Sequence, residues 1–591
     1  MYKTYALILF TILFLLGLAK LFSKAGEKSW KAFIPLYNVY VWLKIVQRPT
    51  WWLLLSLIPV VNIVLIIGLT VELLNCFGKR KVYEHVLGAV VGFIYLPYIA
   101  FYENVEFTGV VNYEKSKKSK PREWSEAIFF AVIAATIIRT FGLEAFKIPT
   151  PSMERTLMTG DFLFVSKFHY GAKTPITPLA IPFTHQSIPV LEIQSYLDWI
   201  QLPSFKLPGL KDVERRDIIV FNYPYEPYRP IDKKTNYVKR CVGIPGDSLQ
   251  VKLGYVYVNG VKEDFPGSGN PQPPLDYVDP DPTKSQLIHP FEFSRDRKRW
   301  VDFLHTQAQL HSGKDFFSYA HEDWTMLNNG PLWVPQKDGI VKLNDNSYYE
   351  YRRIFRYYED GKVLYLKDLV NSYIELSYLK TQEDFSNPTR LMAALGILQE
   401  RLQFNTLPFN LAEAGDQFFT QNPANINKFE SNFSDYQNDL REFCDKVIPQ
   451  ENEKILESIK KINPAVFDAN GKINIEKVQQ QLKEGENLFL VNGALAKQYT
   501  FKKSYYFAMG DNREFSADSR AWGFVPEDHI VGTPVFIWMS YNNGLQVDRL
   551  FCFVNSKGVS KSYLFHFLIG GLVLWLATKL WKNRKSKEKK Q

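Results

Sequence analysis

Long apolar runs and short alternating runs divide the chain into membrane-length and sheet-forming parts. Apolar residues dominate Tyr5–Phe22, Trp51–Cys76, Val86–Phe101 and Ala127–Phe146 towards one end and Tyr563–Leu580 towards the other. Stretches of about 17–25 such residues predict helices that cross a bilayer. The first run follows Lys3 and leads to no small-residue cleavage site, so an uncleaved helix is expected. Pro59 and Asn62 interrupt the second run, which fits one kinked span or a re-entrant pair of half helices. Beyond residue 147 the period changes. Phe162–Lys167 alternates, Asp217–Tyr223 reads DIIVFNY, and Ser248–Val258 alternates up to an Asn259-Gly260 turn. Strand character returns at Asn487–Val491, Tyr505–Met509 and Thr533–Met539. One antiparallel β domain, interrupted by an insertion, is the expected outcome.

The insertion opens with Pro-rich sequence at Gly267–Pro282 and contains a hairpin signal at Asp360-Gly361. Two helical stripes follow, Leu391, Leu395, Leu398 and Leu402 behind a Thr389 cap, then Phe429, Phe433, Tyr436, Leu440, Phe443 and Val447. The expected organisation is a multi-span membrane region (1–124), a transmembrane helix (125–146), the β domain in two parts (147–260 and 487–560) around a mixed, partly helical insertion (261–486), a C-terminal transmembrane helix (563–580) and a basic cytoplasmic tail (581–591).

Charge orients this arrangement. The 591 residues carry a formal charge of +10, and Lys582–Lys590 alone holds six Lys or Arg against one Glu. A basic tail after an apolar run reads as a cytoplasmic anchor, and no interleaving of aromatic and basic residues suggests nucleic acid. Lys115, Lys117, Lys118, Lys120 and Arg122 precede the 127–146 run and place that flank in the cytoplasm too. The β domain then lies on the other side, tethered at both ends. Lys79, Arg80 and Lys81 conflict with this parity if 51–76 spans once. Aromatic residues make up 15% of the chain, which suits sheet and membrane contact and excludes disorder. Cys76, Cys241, Cys444 and Cys552 form no CxxC pattern, and His305, His311 and His321 do not share a helical face, so neither disulfide framework nor metal site is expected.

Three stretches concentrate chemistry. IPTPSMERTLMTGD, Ile148 to Asp161, follows the fourth apolar run and holds Ser152 between Pro151 and Met153, with Pro149 further restricting the backbone. A serine hydroxyl needs a base, and no nucleophile elbow or Ser, His, Asp set is present. Lysine can replace histidine if burial keeps its amine neutral. YVKRCVGIPGD, Tyr237 to Asp247, offers Lys239, which strand alternation places on one face with Tyr237 and Cys241 and opposite Arg240. The third stretch, MGDNREFSADSRAWGFVP from Met509 to Pro526, packs turn formers and charges between two apolar strands, as an active-site support would.

Together with ERRDIIVFNYP, these three stretches resemble the conserved boxes of bacterial type I signal peptidases, the Ser/Lys-dyad leader peptidases of the S26 type. The likeness covers roughly 125–260 and 487–545 and leaves the insertion and the first hundred residues unexplained. It implies a mainly β catalytic domain, with antiparallel sheets of the signal-peptidase/LexA-like kind, and transmembrane helices at both ends. It also implies Ser152 as nucleophile and Lys239 as general base, with Thr150 and the Ser152 amide as oxyanion donors. Met153 would pack beside the nucleophile, Ser516 would orient the lysine amine, and Asp511, Asp518 and Arg520 would form the supporting network. Arg155 stands where the family commonly has proline, and Ala521 where it has an aromatic residue.

The implied activity is removal of N-terminal signal peptides from exported preproteins after small residues, without cofactor, metal or nucleic acid. It would take place at the bacterial cell membrane, with the catalytic domain outside the cytoplasm and the lipid bilayer and the secretion translocon as partners. The competing expectation is an inactive relative that serves as an envelope binding or scaffold protein.

Overall fold

The computed structural model describes residues 2–57, 61–110, 120–264, 324, 329–359, 363–380, 447–480 and 488–588, apart from short gaps at 182, 189–193, 225, 227–228, 253, 469–470, 475, 479 and 514–515. The expected stripes at 391–402 and 429–443, the Asp360-Gly361 turn, Cys444, His305, His311, His321 and the lysines at 115–118 lie outside these residues.

Helices α1 (Tyr2–Lys24), α2 (Tyr37–Ile45), α3 (Val61–Cys76) and α4 (Val82–Phe101) build the N-terminal unit. Leu18, Phe22, Trp42, Leu69, Leu73, Leu96 and Ile99 are buried together in its core, and the Trp42 indole N–H donates to the Leu69 carbonyl at 3.1 Å. Gly17 permits the crossing of α1 and α4, because a Cβ there would meet the Pro97 nitrogen at 2.6 Å. Among the described residues one helix, Val82–Phe101, is long and apolar enough by itself to cross a membrane; Val64–Cys76, Phe130–Gly142 and Leu564–Lys579 are shorter apolar helices. The run expected as a continuous helix to Phe146 is corrected by the structure. Helix α5 covers Lys120–Ile137, a π turn follows at Ile138–Gly142, and Leu143–Lys147 is strand β1. Glu144, paired with Arg139 and Lys167, and the strand pairing of Leu143–Lys147 outweigh a continued helix.

The catalytic sheet contains, besides β1, strands β2 (Asp161–Ser166), β3 (Ile218–Asn222), β4 (Asn236–Gly243), β5 (Tyr505–Met509), β6 (Val525–Pro526), β7 (Ile530–Ser540), β8 (Cys552–Asn555) and β9 (Gly558–Val559). Their order is β1-β2-β7-β3-β4-β5-β6, with β8 on β7 and β9 on β8, antiparallel throughout. The sheet therefore interleaves strands from both sides of the insertion. The run expected as a single strand to Val258 is a hairpin instead, Ser248–Lys252 with Tyr255–Val258, turning at Gly254 (φ 78°). Phe489–Val491 pairs with Val363–Tyr365 of the insertion and not with the catalytic sheet, which resumes at Tyr505.

The insertion is structurally continuous with the catalytic part. Asn329–Trp333 pairs with Ser248–Lys252, and helix α6 (Asp345–Arg353) lays Tyr348 and Tyr351 into a core that also holds Phe355, Phe501, Tyr505, Phe507 and Phe524. Glu359 is buried there and accepts from the Tyr499 and Tyr505 hydroxyls at 2.8 and 2.9 Å.

Candidate active site

The serine turn is built from its ends inward. Ile148 exchanges backbone hydrogen bonds with Asp161 and Gly160, each 2.9 Å, which ties the segment to β2. Pro151 then starts a single 3-10 turn, Pro151–Met153, for which its fixed φ is suited. From the other side Asn512 holds the turn: its amide donates to the Ser152 carbonyl and its side chain to the Pro151 carbonyl, both at 3.1 Å. Gly510 makes this approach possible, since a Cβ there would lie 2.5 Å from the Ser152 carbonyl oxygen and 2.2 Å from Ser516 Oγ.

Lys239 projects from β4, paired across the sheet with Ile219. Its Nζ donates to Ser152 Oγ at 2.8 Å and to the Val238 carbonyl at 2.9 Å, and it lies 5.3 Å from the centre of the Tyr237 ring. Lys239 is 4% exposed and Ser152 7%. Burial pulls the Lys239 pKa down to about 8, against the opposing pull of Asp518 and Asp511.

Those two carboxylates would hold the amine charged if they were free, but each is committed to a guanidinium. Arg240, on the opposite face of β4, grips Asp511 through two hydrogen bonds of 2.7 and 2.6 Å, and Thr156 Oγ1 adds a third at 2.6 Å. Arg520 does the same for Asp518 at 2.8 and 2.9 Å, while the Gly510 amide donates to Asp518 at 3.0 Å. Burial would raise the Asp518 carboxyl, but Arg520 outweighs it and holds the group below the usual carboxylate range. The result is a buried lysine without an ion-pair partner among the described residues, beside a serine hydroxyl.

The other expected residues fall as follows. Thr150 is exposed, with Oγ1 3.5 Å from Ser152 Oγ. Met153 is fully buried, its sulfur 3.4 Å from the Asp511 amide. Ser516 is buried nearby, close to Gly510, while the Lys239 amine donates to Ser152 and the Val238 carbonyl. Arg155 has φ 72°, a backbone that proline cannot adopt, so this turn follows a path of its own. Beside Ala521, the indole of Trp522 packs 5.7 Å from Phe221 and 5.8 Å from Tyr223. Arg240, Thr156, Gly510, Asn512 and Arg513, which donates to the Gly510 carbonyl, escaped the sequence reading as individual residues. All stand inside the recognised boxes, but the partners of Arg240, Thr156 and Asn512 lie hundreds of positions away. Among the described residues no group of His, Cys, Asp and Glu could hold a metal ion.

Residues 121–308 and 451–539 match the family described as signal peptidase, peptidase S26, and residues 30–110 match a family of unknown function. Signal peptidase I of Pseudomonas aeruginosa is 34% identical over 139 residues, 23% of this chain and 38% of the relative. That of Rickettsia bellii is 29% identical over 204 residues, 34% of this chain and 54% of the relative, and that of Buchnera aphidicola from Acyrthosiphon pisum 36% over 144, 24% and 36%. The chain thus spans between about a third and about half of the length of these relatives. Sheet, boxes and relatives agree, and the part of the chain that carries Ser152 and Lys239 is similar to the signal peptidase family, peptidase S26.

Proposed function

We propose that this protein is a membrane-bound serine endopeptidase that removes signal peptides from exported preproteins after small residues, with Ser152 as nucleophile and Lys239 as general base. The observation that carries the reading is the 2.8 Å contact between Lys239 Nζ and Ser152 Oγ, made by a lysine whose neighbouring carboxylates are already paired. With the amine neutral, the contact runs from hydroxyl to nitrogen. Ser152 Oγ attacks the scissile carbonyl as Lys239 takes its proton, and the proton passes to the leaving amine as the acyl-enzyme forms. Water, deprotonated by the same amine, then releases the peptide. Thr150 Oγ1 and the Ser152 amide are the donors for the oxyanion, a contribution on the order of 3 kcal/mol for one such donor.

Strand β1 supports the substrate assignment. It pairs only with β2 among the described residues, so its other edge is free and leads directly into the Ser152 turn. An extended peptide can add to that edge through backbone hydrogen bonds. Helix α5, β1 and Ser152 follow within thirty-odd residues, which delivers the cut close to the bilayer in a multi-pass arrangement with the catalytic part outside the cytoplasm. Separate Ser152→Ala and Lys239→Ala proteins are expected to express normally and to lose precursor cleavage. An electrophilic peptide inhibitor is expected to leave a covalent adduct on Ser152 of the wild type. Normal cleavage by either variant would sink the dyad assignment, and a folded wild type that takes no adduct would favour a non-enzymatic envelope role.

A further inference from the structure

A second built feature lies at the opposite end of β1 from Ser152. There the chain passes from α5 to the sheet, and a cleft of about 580 Å3 opens between the π turn of Ile138–Gly142, the segment following β2, and the residues between β3 and β4. This is within the size range of small-ligand sites. The fates of its charges differ. Glu144 is paired with Arg139 Nε at 2.8 Å and with Lys167 at 2.9 Å. Asp232 accepts from the Thr177 amide and hydroxyl at 3.0 and 2.8 Å, and Asp528 is held by Lys503 and His529 at 2.6 and 2.7 Å. Lys173 donates to the Glu527 and Ile530 carbonyls at 3.0 and 2.8 Å.

Lys233 stands apart among the buried ones. It is 7% exposed and lines the cleft, its ammonium makes no hydrogen bond or ion pair with a described residue, the Tyr196 ring lies 5.4 Å away, and Asp232 and Glu144 are the acids that act on it. An unpaired buried cation is costly unless something anionic joins it. Burial lowers the Lys233 pKa, Asp232 opposes it, the nearby Arg139 cation adds to it and Glu144 opposes it, so two cations share the cleft with two acids. The terminal amino groups of Arg139 carry no hydrogen bond to a described residue and are available as a fork for an oxyanion.

Part of the rim is apolar: Ile181 and Phe183 line the cleft while remaining 47% and 51% exposed, and Phe205, between the lining residues Ser204 and Lys206, is 65% exposed. A small soluble anion would use the cations and leave this rim uncovered. A lipid would use both.

We propose that this cleft binds the phosphate of an anionic membrane phospholipid between Arg139 and Lys233, with the acyl chains lying along α5 and the apolar segment at Ile181, Phe183 and Phe205. The site would seat the sheet on the bilayer at a fixed height. Its recognition chemistry is that of any phosphate, and the apolar rim selects the lipid source.

The test uses the full chain in detergent micelles, titrated with phosphatidylglycerol or phosphatidylcholine, with retained lipid counted by native mass spectrometry. Wild type is expected to retain phosphatidylglycerol in preference to phosphatidylcholine. Lys233→Met and Arg139→Gln are each expected to weaken that retention by roughly tenfold, as loss of a charge-assisted contact implies. Arg139→Lys, which keeps the charge but loses the fork, is expected to retain less than wild type and more than Arg139→Gln, and Lys252→Gln, on the far hairpin, to leave retention unchanged. Equal retention of the two lipids by wild type would overturn the proposal without reference to any variant. So would unchanged retention in a Lys233→Met protein, or displacement of the lipid by millimolar inorganic phosphate, which would mark a free-anion site. Lipid counting needs no turnover, so this result stands apart from the fate of the Ser152 chemistry.

Discussion

At the scale of single residues the site depends on how charge is distributed around one amine. Lys239 has a pKa near 8, where an ordinary lysine has 10.5, because its side chain is buried and the acids beside it belong to Arg240 and Arg520. The proposed chemistry needs the neutral amine, so kcat/KM for a peptide substrate is expected to climb with pH and level off above about 8. A flat profile between pH 6 and 10 would remove Lys239 from the role of base. Stability follows the same group with its own sign. Between about 8 and 10.5 the unfolded chain holds a proton on this lysine that the folded chain has released, so its contribution to stability rises with pH across that window. Below it the folded protein carries a buried charge, and Lys239→Met should raise the melting temperature at pH 7 while abolishing cleavage.

That Lys239 and Arg240 face opposite ways was legible from strand alternation, while their link to Ser152 came from the likeness of the boxes to a known family. What Arg240 holds was not legible, since Asp511 stands 271 positions away and no local pattern announces the pair. Nor was the Val238 carbonyl, which accepts from the Lys239 amine at 2.9 Å, because a backbone acceptor leaves no mark in the sequence.

At the scale of elements the insertion is the main revision. Its described part supplies Tyr348, Tyr351 and Phe355 to a core completed by Phe501, Tyr505 and Phe507, so the back of β5 is covered by residues that the β-domain boundaries had excluded. Phe355 is 1% exposed and stacks on Phe501 at 5.9 Å. Phe355→Ala is expected to cost about 3–5 kcal/mol, read as a lowered denaturation midpoint of the detergent-solubilised protein. Deleting 265–485 across a short linker should yield no soluble, cleavage-competent protein. Recovery of full activity from that deletion would show that the shared core is dispensable.

Strands β2, β3, β5 and β7 were readable as short apolar or alternating runs, whereas β6, β8 and β9, of two to four residues, were not. The end of α5 was not, because Leu143–Lys147 is apolar enough to extend a helix and only its pairing with β2 makes it a strand.

At the scale of the whole molecule, residues 2–110 and the catalytic sheet keep separate cores, Trp42 and Leu69 in one, Leu163, Val220 and Ile537 in the other. A chain lacking 2–110 is therefore expected to retain precursor cleavage in membranes within a few-fold of the full protein. A complete loss of activity with normal folding would make the N-terminal unit part of the enzyme. The awkward basic triplet is also less awkward in the structure, because Lys79 is ion-paired with Glu103 and lies 3.6 Å from Glu84. Helix α2 was missed in the sequence since its nine residues form no membrane-length run.

The clasp between Arg240 and Asp511 has a consequence in time. A ribosome adding 5–20 residues per second needs roughly a quarter to nearly a whole minute to travel between them. Throughout that interval the serine and its base have been made but the loop that aims them has not. On the proposed reading, the emerging polypeptide is a blade without an edge, unable to cut itself or its neighbours until almost all of it exists.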